Sequence, residues 1–253
     1  MLIKTIQTDA LTTRIYDSRA AMGEAAGRAA ADAIRHVIAE KGQANVIFAA
    51  APSQNETLAA LLKEDIDWGR VHAFHMDEYV GLGIDDRASF ARYLYDHVFA
   101  HAPFASVHYI PAKESAEEGC RAYTSLLKEC PPDVVLMGIG ENGHIAFNDP
   151  PVADFKDRAC IKAVALDNVC RMQQVHDGCF PTIDDVPTHA LTLTVPTLMS
   201  AKHLISTVPA APKADAVQAM LCGPYGEVCP ATALRTHASA VMFLDPDSAS
   251  KVL

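Results

Sequence analysis

The stretch Val134-Val135-Leu136-Met137-Gly138, continued at once by Ile139-Gly140-Glu141-Asn142-Gly143-His144, decides how this chain is read. Apolar residues at successive positions leave a strand no polar face, so this one must be covered on both sides. Such strands belong to parallel sheets flanked by helices. The glycine-rich continuation then falls beyond the strand's carboxyl end, where open α/β sheets bind their ligands.

The same unit of apolar run, turn and helical pattern recurs on either side. Upstream, Ile3 to Ile6 reads as a strand, and Asp17 or Ser18 caps an alanine-rich helix that stops at Gly42. An apolar run from Asn45 to Ala50 leads through a polar loop at Pro52 to Asn55 into a helix from Glu56 to about Lys63. Val71 to His75 is a strand, followed by a helix around Ala88 to Ala100, a short strand near Val107 to Ile110 and a helix from about Ser115 to Lys128. Downstream, a less regular stretch at 151–189 precedes strands near Leu191 to Val195 and His203 to Val208. A helix from Lys213 to Leu221 and a strand from Ala240 to Asp245 follow. The alternation predicts a doubly wound, Rossmann-like α/β fold, a mostly parallel sheet with helices on both faces. With no repeat or linker to divide it, the chain is expected to form one domain over 1–253, with 151–189 as a candidate lid.

Half of the 253 residues are hydrophobic and 21% are charged, which suits a substantial core and excludes a disordered chain. The formal charge of −10 argues against nucleic acid or an anionic membrane as the main partner, yet leaves room for a small anion held by a local cluster. Seven cysteines without CxxC spacing read as reduced thiols rather than as a zinc site or a disulfide framework, so no metal is expected. The N-terminal stretch lacks a signal-peptide core, and no apolar run approaches the roughly 20 residues needed to span a bilayer. The expected setting is the cytoplasm.

Four loops fall at the predicted carboxyl edge of the sheet. Met76-Asp77-Glu78-Tyr79 brings two adjacent carboxylates to the mouth of a strand, where a partly desolvated aspartate can act as a general base. The plainer reading is that one of them caps a turn or pairs with an arginine. The loop from Gly138 to Pro150 offers His144 as an imidazole and Asp149 as its carboxylate partner, with glycines that allow close approach of a ligand. Its glycine spacing is weak evidence for a dinucleotide site, because Arg158 or a neighbour stands where an acidic residue is needed. Ala49 to Asn55 precedes a helix, and Pro209 to Lys213 carries a lysine to the same edge. Each loop alone has an ordinary structural explanation, and their convergence favours an enzyme.

Phe74 to Leu82 and Gly138 to Pro150 resemble the two signature segments of the glucosamine-6-phosphate deaminase family. The likeness continues through Ala190-Leu191-Thr192, Lys213-Ala214 and Pro230 to His237. The resemblance implies an open α/β fold and conversion of glucosamine 6-phosphate, or a close analogue, to a keto-sugar phosphate and ammonia, without metal or cofactor. It places Asp77 as the base moving a proton between carbon-2 and carbon-1. His144 takes part in ring opening, with Asn142 at the position assigned to the same step. Asp149, in place of the family's usual glutamate, orients His144. Ala50, Ser53, Gln54, Glu78, Gly140, Arg171 and Lys213 fall at substrate-binding positions, Lys213 matching the family's phosphate lysine.

Two departures bear on the substrate. Ala51-Pro52-Ser53-Gln54-Asn55 lacks the glycines of the family's phosphate loop, and Arg171 to Phe180 has no arginine at the family's phosphate-binding position, leaving His176 as the nearby cationic candidate. Losing one charged phosphate contact costs about 1.5–3 kcal/mol, so an altered sugar or a differently held phosphate is expected. Ending at Leu253, the chain is shorter than the family's long allosteric forms, so activation by an acetylated amino-sugar phosphate is not expected. Family members often form homo-oligomers. The alternatives are a sugar-phosphate lactonase of the same superfamily, which the Met76 to Leu82 segment disfavours, and a non-catalytic sugar-phosphate-binding protein. The latter is disfavoured by the joint presence of Asp77, Asn142 and His144.

Overall fold

Ser18 accepts a hydrogen bond from the Ala21 N–H and Gly42 adopts the left-handed conformation at φ 84°, so the long first helix begins and ends where its caps dictate. In chain order the computed structural model, which describes every residue except Glu114 and Asp177, begins with β1 (Leu2–Thr8), β2 (Leu11–Tyr16), α1 (Arg19–Lys41), β3 (Ala44–Phe48) and α2 (Asn55–Leu61). It continues with β4 (Val71–His75), β5 (Asp77–Tyr79), α3 (Phe90–Leu94), β6 (Ser106–His108), α4 (Ala116–Glu129) and β7 (Val134–Met137). The last part holds β8 (Ile161–Ala165), α5 (Asn168–His176), β9 (His189–Leu193), α6 (Val195–Met199), β10 (His203–Val208), α7 (Ala214–Cys222) and β11 (Ala240–Leu244).

An eight-stranded sheet runs in the order β1-β2-β11-β10-β7-β3-β4-β6, parallel throughout except for the β1–β2 hairpin. All five β3 residues and all four β7 residues are buried, as a strand covered on both faces requires. Helix α1 packs against α2 and the β10–β11 side, while α4 and α7 contribute to a second apolar cluster across the sheet. From β3 the chain steps outward to β4 and β6, then returns to the other side of β3 for β7, β10 and β11. The order therefore reverses between β3 and β7, and the loops leaving their carboxyl ends diverge to open a crevice.

Two features depart from the sequence expectation. The N-terminal stretch is a hairpin rather than one strand, turning at Asp9 with φ 51°. The segment after Gly138–Pro150 is more regular than its sequence implied, because β8 pairs antiparallel with β9 and β9 with β5 in a separate three-stranded sheet. That sheet holds Asp77, the first residue of β5, opposite Thr192. Among the described residues no helix is long and apolar enough to cross a membrane.

Candidate active site

A cavity lies at this crevice, and all four loops singled out in the sequence line it. Ala50 and Ser53 come from the loop after β3, Asp77 from that after β4, Gly140 and His144 from that after β7, and Lys213 from that after β10. One wall comes from α5 and the turn beyond it, through Gln173, Gln174 and Cys179.

Asp77 is held from behind by a residue the sequence reading passed over. His75 is completely buried, its Nδ1 donating to the Asp77 carbonyl at 2.9 Å and its Nε2 accepting from the Ile110 N–H at 2.8 Å. The Tyr123 hydroxyl donates to the His75 carbonyl and accepts from the His75 N–H, at 3.0 and 3.1 Å. Both nitrogens of the ring are thus used by a neutral imidazole, and burial pushes its pKa down to about 4. Asp77 itself is 8% exposed, and no hydrogen bond joins its carboxylate to a described residue. Burial, with the neighbouring Glu78 charge as the lesser cause, raises its pKa well above the ordinary value.

Glu78 does not reach the cavity. Its carboxylate turns inward and accepts from the backbone N–H groups of Tyr79, Phe90 and Ala91 at 2.9–3.1 Å, satisfying donors at the start of α3. Burial nonetheless lifts its pKa to about 7 against those three hydrogen bonds. The plainer reading, a carboxylate that caps a turn, describes Glu78 and replaces the substrate-binding position expected for it.

His144 is 7% exposed, and its Nδ1 lies 2.8 Å from Asn142 Oδ1 and 3.0 Å from Asp149 Oδ1. Asn142 Nδ2 donates to Asp149 Oδ1 at 2.8 Å, and Asn142 Oδ1 also accepts the His144 backbone N–H at 3.0 Å. Asn142 and Asp149 therefore stand behind the imidazole rather than on the cavity wall. A proton on Nδ1 is fixed by two acceptors, and Nε2 is the nitrogen open to a ligand. Burial alone would raise the Asp149 carboxyl, but hydrogen bonds from His144, Asn142 and Cys170 hold it below its ordinary value. Gly140 is needed here for space, since a Cβ on it would stand 2.1 Å from the His144 ring. Gly143 takes φ 82°, where a Cβ would strike Cys229 Sγ.

Two further expectations are corrected by where the side chains point. Gln54 is 1% exposed and spends its amide on the Thr207 carbonyl and the Ser53 hydroxyl, at 3.1 Å each, so it braces the loop after β3 from beneath. Arg171 donates to the Ile183 and Val186 carbonyls at 2.5 and 3.0 Å, tying α5 to the following turn rather than facing a substrate. His176 does not line the cavity, and Asp177 of the same stretch lies outside the described residues. Lys213 does line it, 8% exposed at the start of α7. His144, Asp149 and Cys170 also bring ligand-type atoms within 4.8 Å of one another.

A family model described as glucosamine-6-phosphate isomerases/6-phosphogluconolactonase matches residues 17–243. The chain belongs to that family. Within the glucosamine-6-phosphate isomerase/6-phosphogluconolactonase family, it is 34% identical to the glucosamine-6-phosphate deaminases of Bacillus cytotoxicus and of Bacillus cereus, each over 219 residues, 86% of this chain and 81% of theirs. The solved structure of a monomeric glucosamine-6-phosphate deaminase superposes with a TM-score of 0.85 at 30% identity, over 94% of this chain and 99% of its own. A 6-phosphogluconolactonase from Trypanosoma brucei, at 17% identity and a TM-score of 0.77, covers 99% of this chain and 100% of its own and shares the fold.

Proposed function

We propose that this chain is a glucosamine-6-phosphate deaminase, isomerising the aldose to the ketose and releasing ammonia. The observation that carries the reading is the joint presentation, in one cavity, of a buried carboxylate on Asp77 and an imidazole on His144 backed by Asp149. Proton abstraction beside a carbonyl needs a desolvated carboxylate, and ring opening needs a second acid/base that can both take and give a proton.

In this reading His144 Nε2 relays the proton that opens the pyranose, from the carbon-1 hydroxyl to the ring oxygen. Asp77 removes the proton on carbon-2 of the open-chain aldehyde and delivers it to carbon-1, while the carbon-1 oxygen gains the proton that the 2-ammonium group gives up, leaving a hydroxymethyl group at carbon-1 and an iminium at carbon-2. Water adds to that iminium, ammonia departs and the ketone remains. Lys213 and Ser53 hold the phosphate, and α5, the part of 151–189 that walls the cavity, covers it. A lactonase needs one base, to activate water, whereas deamination with isomerisation employs both the carboxylate and the imidazole.

The test is ammonia release from glucosamine 6-phosphate by the purified protein, read through glutamate dehydrogenase. Turnover is expected, with fructose 6-phosphate formed in equal amount. No ammonia from this or any other amino-sugar phosphate, together with hydrolysis of 6-phosphogluconolactone, overturns the reading.

A further inference from the structure

Gln174 lies in α5 on the cavity wall and is 7% exposed. Its neighbour Gln173 accepts the Glu141 N–H at 3.0 Å and so supports the glycine-rich loop. The Gln174 carboxamide, by contrast, makes no hydrogen bond to a described residue and is not sealed off from the cavity. The side chain is thus held by burial with its acceptor and donors open to the cavity, available to whatever enters.

We propose that Gln174 is a specificity-determining residue that binds a hydroxyl group of the substrate's carbon chain. This rests on the proposed function for the identity of the substrate, and on the structure for the position of the amide. The choice of hydroxyl over phosphate follows from what a carboxamide offers. It presents an acceptor oxygen beside an NH₂ donor, and a sugar hydroxyl, donor and acceptor in one group, can use either. A phosphate dianion has no proton to give the oxygen and turns that oxygen into an opposed lone pair. The cavity already provides a cation for the anionic end in Lys213. Gln174 therefore reads the stereochemistry of the polyol, which the family's charged phosphate contacts do not.

Gln174→Met keeps the length of the side chain and removes its hydrogen bonds, with Gln174→Ala as a second variant should the first fail to fold. Binding of glucitol 6-phosphate, a polyol phosphate without a reactive carbonyl, is measured by calorimetry beside binding of inorganic phosphate. KM for glucosamine 6-phosphate is determined in parallel. The expected result is roughly tenfold weaker glucitol 6-phosphate binding and a similar rise in KM, with inorganic phosphate binding unchanged. The proposal is overturned if a folded variant binds the polyol phosphate as the wild type does, if inorganic phosphate is weakened to the same degree, or if the wild type binds no polyol phosphate. If the wild type releases no ammonia and yet its glucitol 6-phosphate binding depends on Gln174, the deaminase reading falls and the hydroxyl contact stands.

Discussion

Gly140→Ala tests the placement of His144. The backbone at Gly140 does not take a positive φ, so alanine is conformationally allowed and the strand–loop junction should survive. The added methyl, however, would lie 2.1 Å from Cε1 and 2.3 Å from both ring nitrogens of His144. Restoring ordinary contact near 3.4 Å requires the ring to retreat by about 1.3 Å. It cannot do so and keep the 2.8 and 3.0 Å contacts of Nδ1 to Asn142 and Asp149. Misplacing a reacting group by about 1 Å costs on the order of 10²-fold in rate, so kcat/KM for ammonia release should fall by at least that factor. Circular dichroism and thermal melting check that the fold is retained. A folded Gly140→Ala enzyme with wild-type kcat/KM would refute the claim that the imidazole must occupy this position for turnover.

Asp77→Asn should lower kcat by about 10²- to 10⁴-fold, the range for losing a general base, measured by ammonia release under saturating substrate. Its stability should move the other way. An acid whose folded pKa is raised loses stability as pH climbs through that value, and asparagine does not titrate, so the variant's melting temperature should gain on the wild type as pH rises. Glu78→Gln should leave KM unchanged but orphan at least one of the Tyr79, Phe90 and Ala91 N–H groups, at a cost of about 1–3 kcal/mol read by urea unfolding. Because burial raises Glu78 to about 7, the wild type should lose stability between about pH 4.5 and 7 by a component that this variant lacks. Arg171→Ala frees the Ile183 and Val186 carbonyls and should make the segment after α5 easier to cleave in limited proteolysis, with little change in inorganic phosphate binding.

What the sequence disclosed and what it hid follow from the range of each signal. Val134 to Met137 and Val71 to His75 were legible because full burial leaves an unbroken apolar run, and the chemistry sits directly after those runs. The β1–β2 hairpin was hidden because it turns at Asp9-Ala10, without glycine or proline. Periodicity marked a strand near Leu191 but carries no information on its partner, so the pairing of β9 with Asp77–Tyr79 in a second sheet was not visible. His75 reads as one more strand residue, since its role depends on Ile110 and Tyr123 reaching it through the fold. Gln173 and Gln174 sit in a stretch without strong hydrophobic pattern. Adjacent polar residues in a short amphipathic helix look solvated until the helix is laid over the cavity.

Three buried carboxylates surround the site, and their hydrogen bonds separate their roles. Glu78 is occupied by three backbone N–H groups, and Asp149 by the His144 ring and the Asn142 amide. Such partners favour the ionised form, holding Asp149 below its ordinary value and opposing the rise that burial imposes on Glu78, and they leave neither carboxylate facing the cavity. Asp77 receives no comparable help and is the one of the three that lines the cavity, so its proton affinity is high and directed at whatever binds there. The sequence places Asp77 and Glu78 side by side as equal candidates for the base. The strand pleat sends their side chains to opposite faces, one into the cavity and one under α3, and the division of labour follows from that alternation. The same logic accommodates aspartate in place of glutamate at 149. Asn148 anchors the turn through the Ile145 and Leu193 carbonyls at 2.9 and 2.8 Å, and Ala146 takes φ 51°. At the end of that turn the Asp149 carboxylate, one methylene shorter than glutamate, meets His144 Nδ1 at 3.0 Å.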